Sequence, residues 1–152
     1  MLVGKTTENY LNEAVAEYVK RLKHYIVFDI VVIPELKNVK NISCEQQKEK
    51  EGLAILSSIE SSDEVILLDE RGVEYSSIEF ASWIERKRIT SLKRLIFVVG
   101  GPYGFSPEVY ARANGKISLS QMTFSHQMIR LLFVEQLYRA MTIIKGEPYH
   151  HV

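Results

Sequence analysis

The sequence predicts an α/β fold with a mostly parallel sheet flanked by helices, and three observations support this. Strand-like and helix-like segments alternate along the chain. The best strand segments, Glu64–Asp69 (EVILLD) and Leu95–Val99 (LIFVV), are continuously apolar, as is typical of strands covered on both faces. The chain has 152 residues, 46% hydrophobic and 25% charged, which suits one soluble domain spanning residues 1–152.

The N-terminal quarter is predicted to form a strand, a helix and a second strand. Residues 2–4 resemble the end of a short strand, and Thr7 is expected to cap the following helix. The helix has an apolar face formed at spacings of three and four by Leu11, Ala14, Val15, Tyr18, Val19 and Leu22. Tyr25–Ile33 is rich in β-branched and aromatic residues, which predicts a strand that stops at Pro34.

The middle of the chain continues the alternation. Residues 36–43 form a polar loop, and residues 44–59 are predicted to be a helix. The strand at 64–69 is followed by Arg71–Gly72, where the chain is expected to turn. Residues 77–89 then predict a further helix, which leads to the strand at 95–99.

The C-terminal third begins with a glycine loop and ends with the longest helix. Ser106 and Pro107 have the residue types expected at the cap and first position of a short helix, which Asn114–Gly115 should end. Residues 116–123 predict a short strand plus a loop. The last helix is expected over residues 126–145, with Gly146 closing it.

Charge and cysteine content limit the possible functions. Nineteen basic and nineteen acidic side chains give no net charge, so whole-protein attraction to nucleic acid is not expected. A local basic cluster is more consistent with a solvated helix end than with an RNA contact; it comprises Arg86, Lys87, Arg88, Lys93 and Arg94. The single Cys44 fits a reducing compartment. With no signal pattern and no long apolar stretch, a cytoplasmic protein without a membrane partner is expected.

The glycine loop is the first candidate site. Gly100, Gly101 and Gly104 directly follow a buried strand, where open α/β sheets bind ligands. A ligand loop and a simple tight turn are equally compatible with these glycines. The dinucleotide pattern G-x-G-x-x-G is absent, which argues against a Rossmann-type enzyme.

The last helix and the histidines are the other candidates. Apolar residues nearly encircle this helix, which favours a dimer interface over a central core helix in a monomer. Glu135 and Arg139 are placed to pair at i,i+4. His126 begins the helix and His150 lies in the tail, and either could serve as a general base. No third ligand stands at metal spacing from the adjacent tail histidines, so no metal is expected.

Four segments, taken together, resemble the RlmH family of ribosomal RNA large subunit methyltransferases, within the SPOUT class. They are VVGGPYGF (98–105), ISLSQMTFSHQMIR (117–130), VEQLYRA (134–140) and the terminal PYHH (148–151). The resemblance implies a C-terminal trefoil knot, a homodimer formed through the C-terminal helix, and S-adenosylmethionine as cofactor. By motif position the cofactor-binding residues would be Leu68, Gly100, Gly101, Gly104, Leu119, Ser120, Gln121, Met122, Thr123 and Phe124.

The resemblance also implies the reaction: N3-methylation of a pseudouridine in helix 69 of 23S rRNA, on assembled 70S ribosomes. A ribosome can supply shape and protein contacts, which would reconcile an RNA substrate with the neutral charge. Two departures from the family pattern are Ser125, where the family often has proline, and a shortened first strand.

For this reaction the expected catalytic residues are His150, Tyr149, His126 and Arg130. His150 from the partner's tail, or His126, could take the imide proton; Tyr149 could stack on the base, and Arg130 could hold a phosphate. The alternative is a non-catalytic ribosome- or RNA-binding protein with the same fold, which would not need the glycine loop to hold a cofactor.

Overall fold

A computed structural model, which describes residues 1–151, contains five strands and five α-helices. The strands are β1 (Leu2–Val3), β2 (Val32–Ile33), β3 (Glu64–Glu74), β4 (Leu95–Val99) and β5 (Gly115–Ser118). The helices are α1 (Asn9–Leu22), α2 (Cys44–Ser57), α3 (Ser77–Arg88), α4 (Pro107–Arg112) and α5 (Met128–Lys145), with a 3₁₀ turn at Val39–Asn41.

All strand pairs are parallel, and the order across the sheet is β2-β1-β4-β3-β5. Alternate residues of β3 enter different cores: Ile66 packs with α1, α3 and α5 on one face, while Val65 and Leu67 pack with α2 and α4 on the other. Covering on both faces explains why the strands are continuously apolar. The predicted α/β class is therefore confirmed.

The predictions for the first helix and second strand were wrong in detail. Glu8, not Thr7, flanks α1, and the backbone N–H of Thr7 instead donates to Gln127 Oε1 at 2.9 Å. Only Val32 and Ile33 of the segment 25–33 pair with β1. The N–H groups of Tyr25 and Ile26 donate to the carbonyl of Leu22, so the chain continues to turn instead of extending.

One predicted turn and one predicted helix end were also wrong. Arg71–Gly72 does not turn the chain; β3 continues to Glu74 with a register shift against β5 between Leu68 and Val73. Gly72 is required there because a Cβ would lie 2.5 Å from the carbonyl carbon of Ile117. Asn114 does not cap α4: its side chain and N–H bond the backbone of Val65, each at 2.8 Å, and β5 starts at the next residue.

Several local predictions were confirmed. β4 spans the predicted residues 95–99, and Ser106 caps α4 with Pro107 at its first turn. Gly146 ends α5 in a left-handed conformation, with φ of 70°. The basic cluster is largely neutralised, because Lys87, Arg88 and Arg94 pair with Glu64, Glu85 and Asp63 respectively.

Candidate functional site

A cavity of about 690 Å³ opens at the carboxyl ends of β3, β4 and β5. This is the edge at which open parallel sheets bind ligands, and the volume lies in the range of small-molecule sites. The structure brings all the predicted cofactor residues to this cavity except Gln121, which is exposed and lies outside its lining. The lining therefore includes Leu68, Gly100, Gly101, Gly104, Leu119, Ser120, Met122, Thr123 and Phe124, together with His126.

The glycine loop is both a tight turn and a wall of this cavity. The N–H of Gly104 donates to the carbonyl of Gly101 at 3.2 Å, and Gly104 has φ of 80°. A Cβ on Gly101 would lie 2.7 Å from Oε2 of Glu51, a buried residue of α2. At Gly101 itself only backbone is available to the cavity, and the Glu51 carboxylate occupies the space that a side chain would need.

The second wall is the loop after β5, which is held by short-range hydroxyl bonds. Ser118 Oγ donates to the carbonyl of Ser120 at 2.8 Å, and Ser120 Oγ accepts from the N–H of Met122 at 2.9 Å. Ser125 Oγ accepts from the N–H of Met128 at 3.1 Å, so serine at this position caps the start of α5. Met122 and Phe124 are 77% and 40% exposed, which leaves apolar surface open beside the cavity.

Two lining residues were not singled out from the sequence. Tyr110 of α4 donates its hydroxyl proton to Asp69 at the end of the LLD segment. Burial, and then the bond to Asp69, raises the pKa of Tyr110 to about 12, so the hydroxyl keeps its proton at working pH. Asp69 also accepts from the N–H of Arg71 at 2.8 Å. Asp69, the carboxylate that ends the apolar segment EVILLD, was the sequence signal that could have identified this pair.

His126 lies at the cavity, whereas Arg130 lies beneath it. Burial first, and the charge of Arg130 second, lower the pKa of His126 from its ordinary value. Arg130 is 1% exposed and donates to the carbonyls of Val3 (2.8 Å), Gly4 (3.0 Å) and His126 (3.0 Å). A fourth bond goes to Thr6 Oγ1 at 3.0 Å. This guanidinium joins α5 to the end of β1, so the phosphate contact expected of Arg130 does not fit its burial.

The tail residues Tyr149 and His150 lie away from the cavity of their own chain. Tyr149 donates to Glu135 Oε1 at 3.0 Å, and Arg139 lies over the Tyr149 ring, 4.8 Å from its centroid. Arg139 also bonds Glu135 at 2.6 Å, as the i,i+4 spacing predicted, and His150 Nδ1 at 3.2 Å. Burial, with bonds to Tyr18 and Glu135, raises the pKa of Tyr149.

Residues 1–151 offer neither a metal site nor a membrane-spanning helix. This part of the chain has no group of three or more His, Cys, Asp or Glu side chains arranged to hold a metal ion. None of its helices combines the length and the apolar character needed to cross a membrane.

Comparison with known proteins identifies the family of this chain. The family described as "Predicted SPOUT methyltransferase" matches residues 1–150. A protein of Phocaeicola vulgatus named ribosomal RNA large subunit methyltransferase H is 62% identical over 99% of this chain and 96% of its own length. Proteins with the same name from Parabacteroides distasonis (59% over 99% and 96%) and Christiangramia forsetii (58% over 98% and 95%) are also similar. The chain therefore belongs to the SPOUT methyltransferase family, among relatives named as methyltransferases of the large ribosomal subunit RNA.

Proposed function

We propose that this protein uses S-adenosylmethionine to methylate N3 of a pseudouridine in helix 69 of 23S rRNA, on assembled ribosomes in the cytoplasm. The observation that carries the proposal is the cavity at the sheet's carboxyl edge. Its two walls are the glycine loop and the 119–124 loop, and the chain's relatives are named for this class of reaction. The trefoil knot expected of the family belongs to the same proposal.

The residues at the cavity fit the proposed cofactor. Gly100, Gly101 and Gly104 leave backbone accessible to polar groups, while Leu68 and Leu119 offer apolar surface for an adenine ring. When bound, S-adenosylmethionine supplies a methyl group made electrophilic by a sulfonium centre. The loops' own contribution is to hold that methyl in line with the attacking nitrogen and to exclude water.

A second subunit is the natural source of the missing tail residues. Within one chain, His150 bonds Arg139. The last α5 residue at the cavity is Ile129, ten residues before Arg139. Ten helical residues span about 15 Å, so this contact holds His150 away from its own cavity. The helix packs between α1 and α3, which covers part of its apolar surface. Residues that remain half-buried, among them Leu131 and Leu132, provide a surface for the partner. In this arrangement Tyr149 and His150 of one chain would complete the cavity of the other.

The contact with Arg139 defines what His150 can do. A guanidinium has hydrogen-bond donors only, so its bond to Nδ1 requires a lone pair on that nitrogen. A neutral His150 therefore has its proton on Nε2 and offers a donor to the substrate. We assign the role of proton acceptor to His126, whose lowered pKa keeps it neutral. Assistance of this kind contributes about 10²–10⁴-fold to rate.

Mixed dimers test the shared site. Ser120→Trp fills the cavity of one chain, and His150→Ala removes the tail group of the other. Each homodimer should be inactive, while a mixture re-formed from both should regain activity, because one of its two sites then has an open cavity and an intact tail. His151→Ala, which changes the exposed neighbouring histidine, is the matched control and should stay active. A mixed dimer that stays inactive would contradict the shared site.

A further inference from the structure

Glu51 is a buried carboxylate, and one of its two oxygens has no hydrogen-bond partner within residues 1–151. Its side chain is 7% exposed in the middle of α2. Oε1 accepts a hydrogen bond from Gln47 Nε2 at 3.0 Å. Oε2 is the one buried side-chain nitrogen or oxygen without a hydrogen-bond partner across residues 1–151. Since such an atom costs stability, it calls for a functional explanation.

The free oxygen faces the back of the glycine loop. A Cβ on Gly101 would lie 2.7 Å from Oε2 and 3.0 Å from Oε1, so only glycine allows the loop to pass this carboxylate. Gly101 lines the cavity, while Glu51 itself does not. The carboxylate therefore lies against a residue that itself lines the cavity.

The surrounding packing keeps Glu51 in this position. The next residue, Gly52, lies so close to the start of α4 that a Cβ would be 2.4 Å from Ser106 Oγ. In the part of the chain that the structure describes, no cation forms an ion pair with Glu51. After the larger effect of Glu35, its charge also opposes the lowering of the pKa of His126, which lines the cavity.

We propose that Glu51 makes the cavity prefer a positively charged cofactor over its neutral product. The inference rests on the proposed function. Methyl transfer breaks the S–CH₃ bond and leaves the electron pair on sulfur, so the sulfonium becomes a neutral thioether. The N3–CH₃ bond forms, and N3 gives its proton to His126. A fixed negative charge behind the loop stabilises the first form and not the second, which favours product release.

The test is calorimetric titration of the purified dimer with S-adenosylmethionine and with S-adenosylhomocysteine. Glu51→Gln keeps the shape and removes the charge. We expect it to weaken S-adenosylmethionine binding about tenfold, the order of effect that one partly screened charge pair has inside a protein. Binding of S-adenosylhomocysteine should change less than twofold. Equal weakening of both ligands, or no change in either, would overturn the proposal.

A control and a second measurement complete the test. Glu49→Gln removes an exposed carboxylate of the same helix that does not line the cavity, so solvent screening should keep its effect below twofold. The wild-type protein should bind sinefungin, which has an amine in place of the methylated sulfur, more tightly than S-adenosylhomocysteine. If the wild-type protein shows no such preference, the proposal is overturned. This result does not depend on whether Glu51→Gln folds. A wild-type protein that binds none of the three ligands would instead reject the proposed function, and the inference with it.

Discussion

Arg130→Met tests whether the buried guanidinium is structural. The substitution keeps an apolar stem of similar length but removes the four hydrogen bonds that the guanidinium donates. The carbonyls of Val3 and Gly4, both in buried residues, and that of His126 then lose their partner. A buried acceptor left unpaired costs about 1–3 kcal/mol, and removal of the desolvated charge offsets part of the sum. We therefore expect a loss of about 3–5 kcal/mol from the free energy of unfolding.

The measurement is equilibrium unfolding in urea at one fixed protein concentration, because association shifts apparent stability. Arg21→Met is the matched control: Arg21 pairs with Glu17 at 3.2 Å on the surface of α1, and its loss should cost less than about 1 kcal/mol. If Arg130→Met unfolds like wild type but binds RNA with a smaller dependence on salt, the guanidinium contacts phosphate and the structural role is refuted.

Three further predictions concern the cavity and the tail. Gly101→Ala should abolish cofactor binding in calorimetry, because its Cβ would meet a buried carboxylate oxygen at 2.7 Å. Gly146→Ala is the control, since its Cβ would meet nothing within 4 Å. It should lower the free energy of unfolding only by the strain at φ of 70°, about 1 kcal/mol. Because the pKa of His126 is lowered in the folded protein, this histidine binds a proton more readily in the unfolded chain as the pH falls through 6.5. The free energy of unfolding should therefore decrease from about pH 7.5 to 5.5. The urea midpoint of His126→Asn should decrease less over the same range than that of the wild type. His150→Gln places an amide donor near the position of Nε2 and should keep more methyl-transfer activity than His150→Ala; equal losses would argue for a base.

The sequence was most informative where local chemistry and tertiary packing agree. β4 is apolar because both of its faces are covered, and its bounds were predicted correctly. Ser106–Pro107 and Gly146 satisfy backbone requirements that are independent of the rest of the chain. The glycine loop was placed at a sheet edge for the same reason, since the position follows from the strand before it.

Predictions failed where a distant partner decides the structure. The segment 25–33 has strand-forming residues, but Tyr25, Ile26 and Phe28 pack separately onto the core beside α5, which no local pattern indicates. Arg130 looked available to phosphate because its bonding partners in β1 are more than 120 residues away. Glu51 stands in the polar run EQQKEKE, which gives no local sign of its burial against the glycine loop.

The most direct test of the central claim is methyl transfer from labelled S-adenosylmethionine to 70S ribosomes that lack the modification, followed by mapping of the labelled nucleotide. We predict label at N3 of a pseudouridine in helix 69 of 23S rRNA, and none with Gly101→Ala protein. Label in another RNA would contradict the proposed substrate. No label and no cofactor binding would favour a non-catalytic ribosome-binding protein that kept the fold.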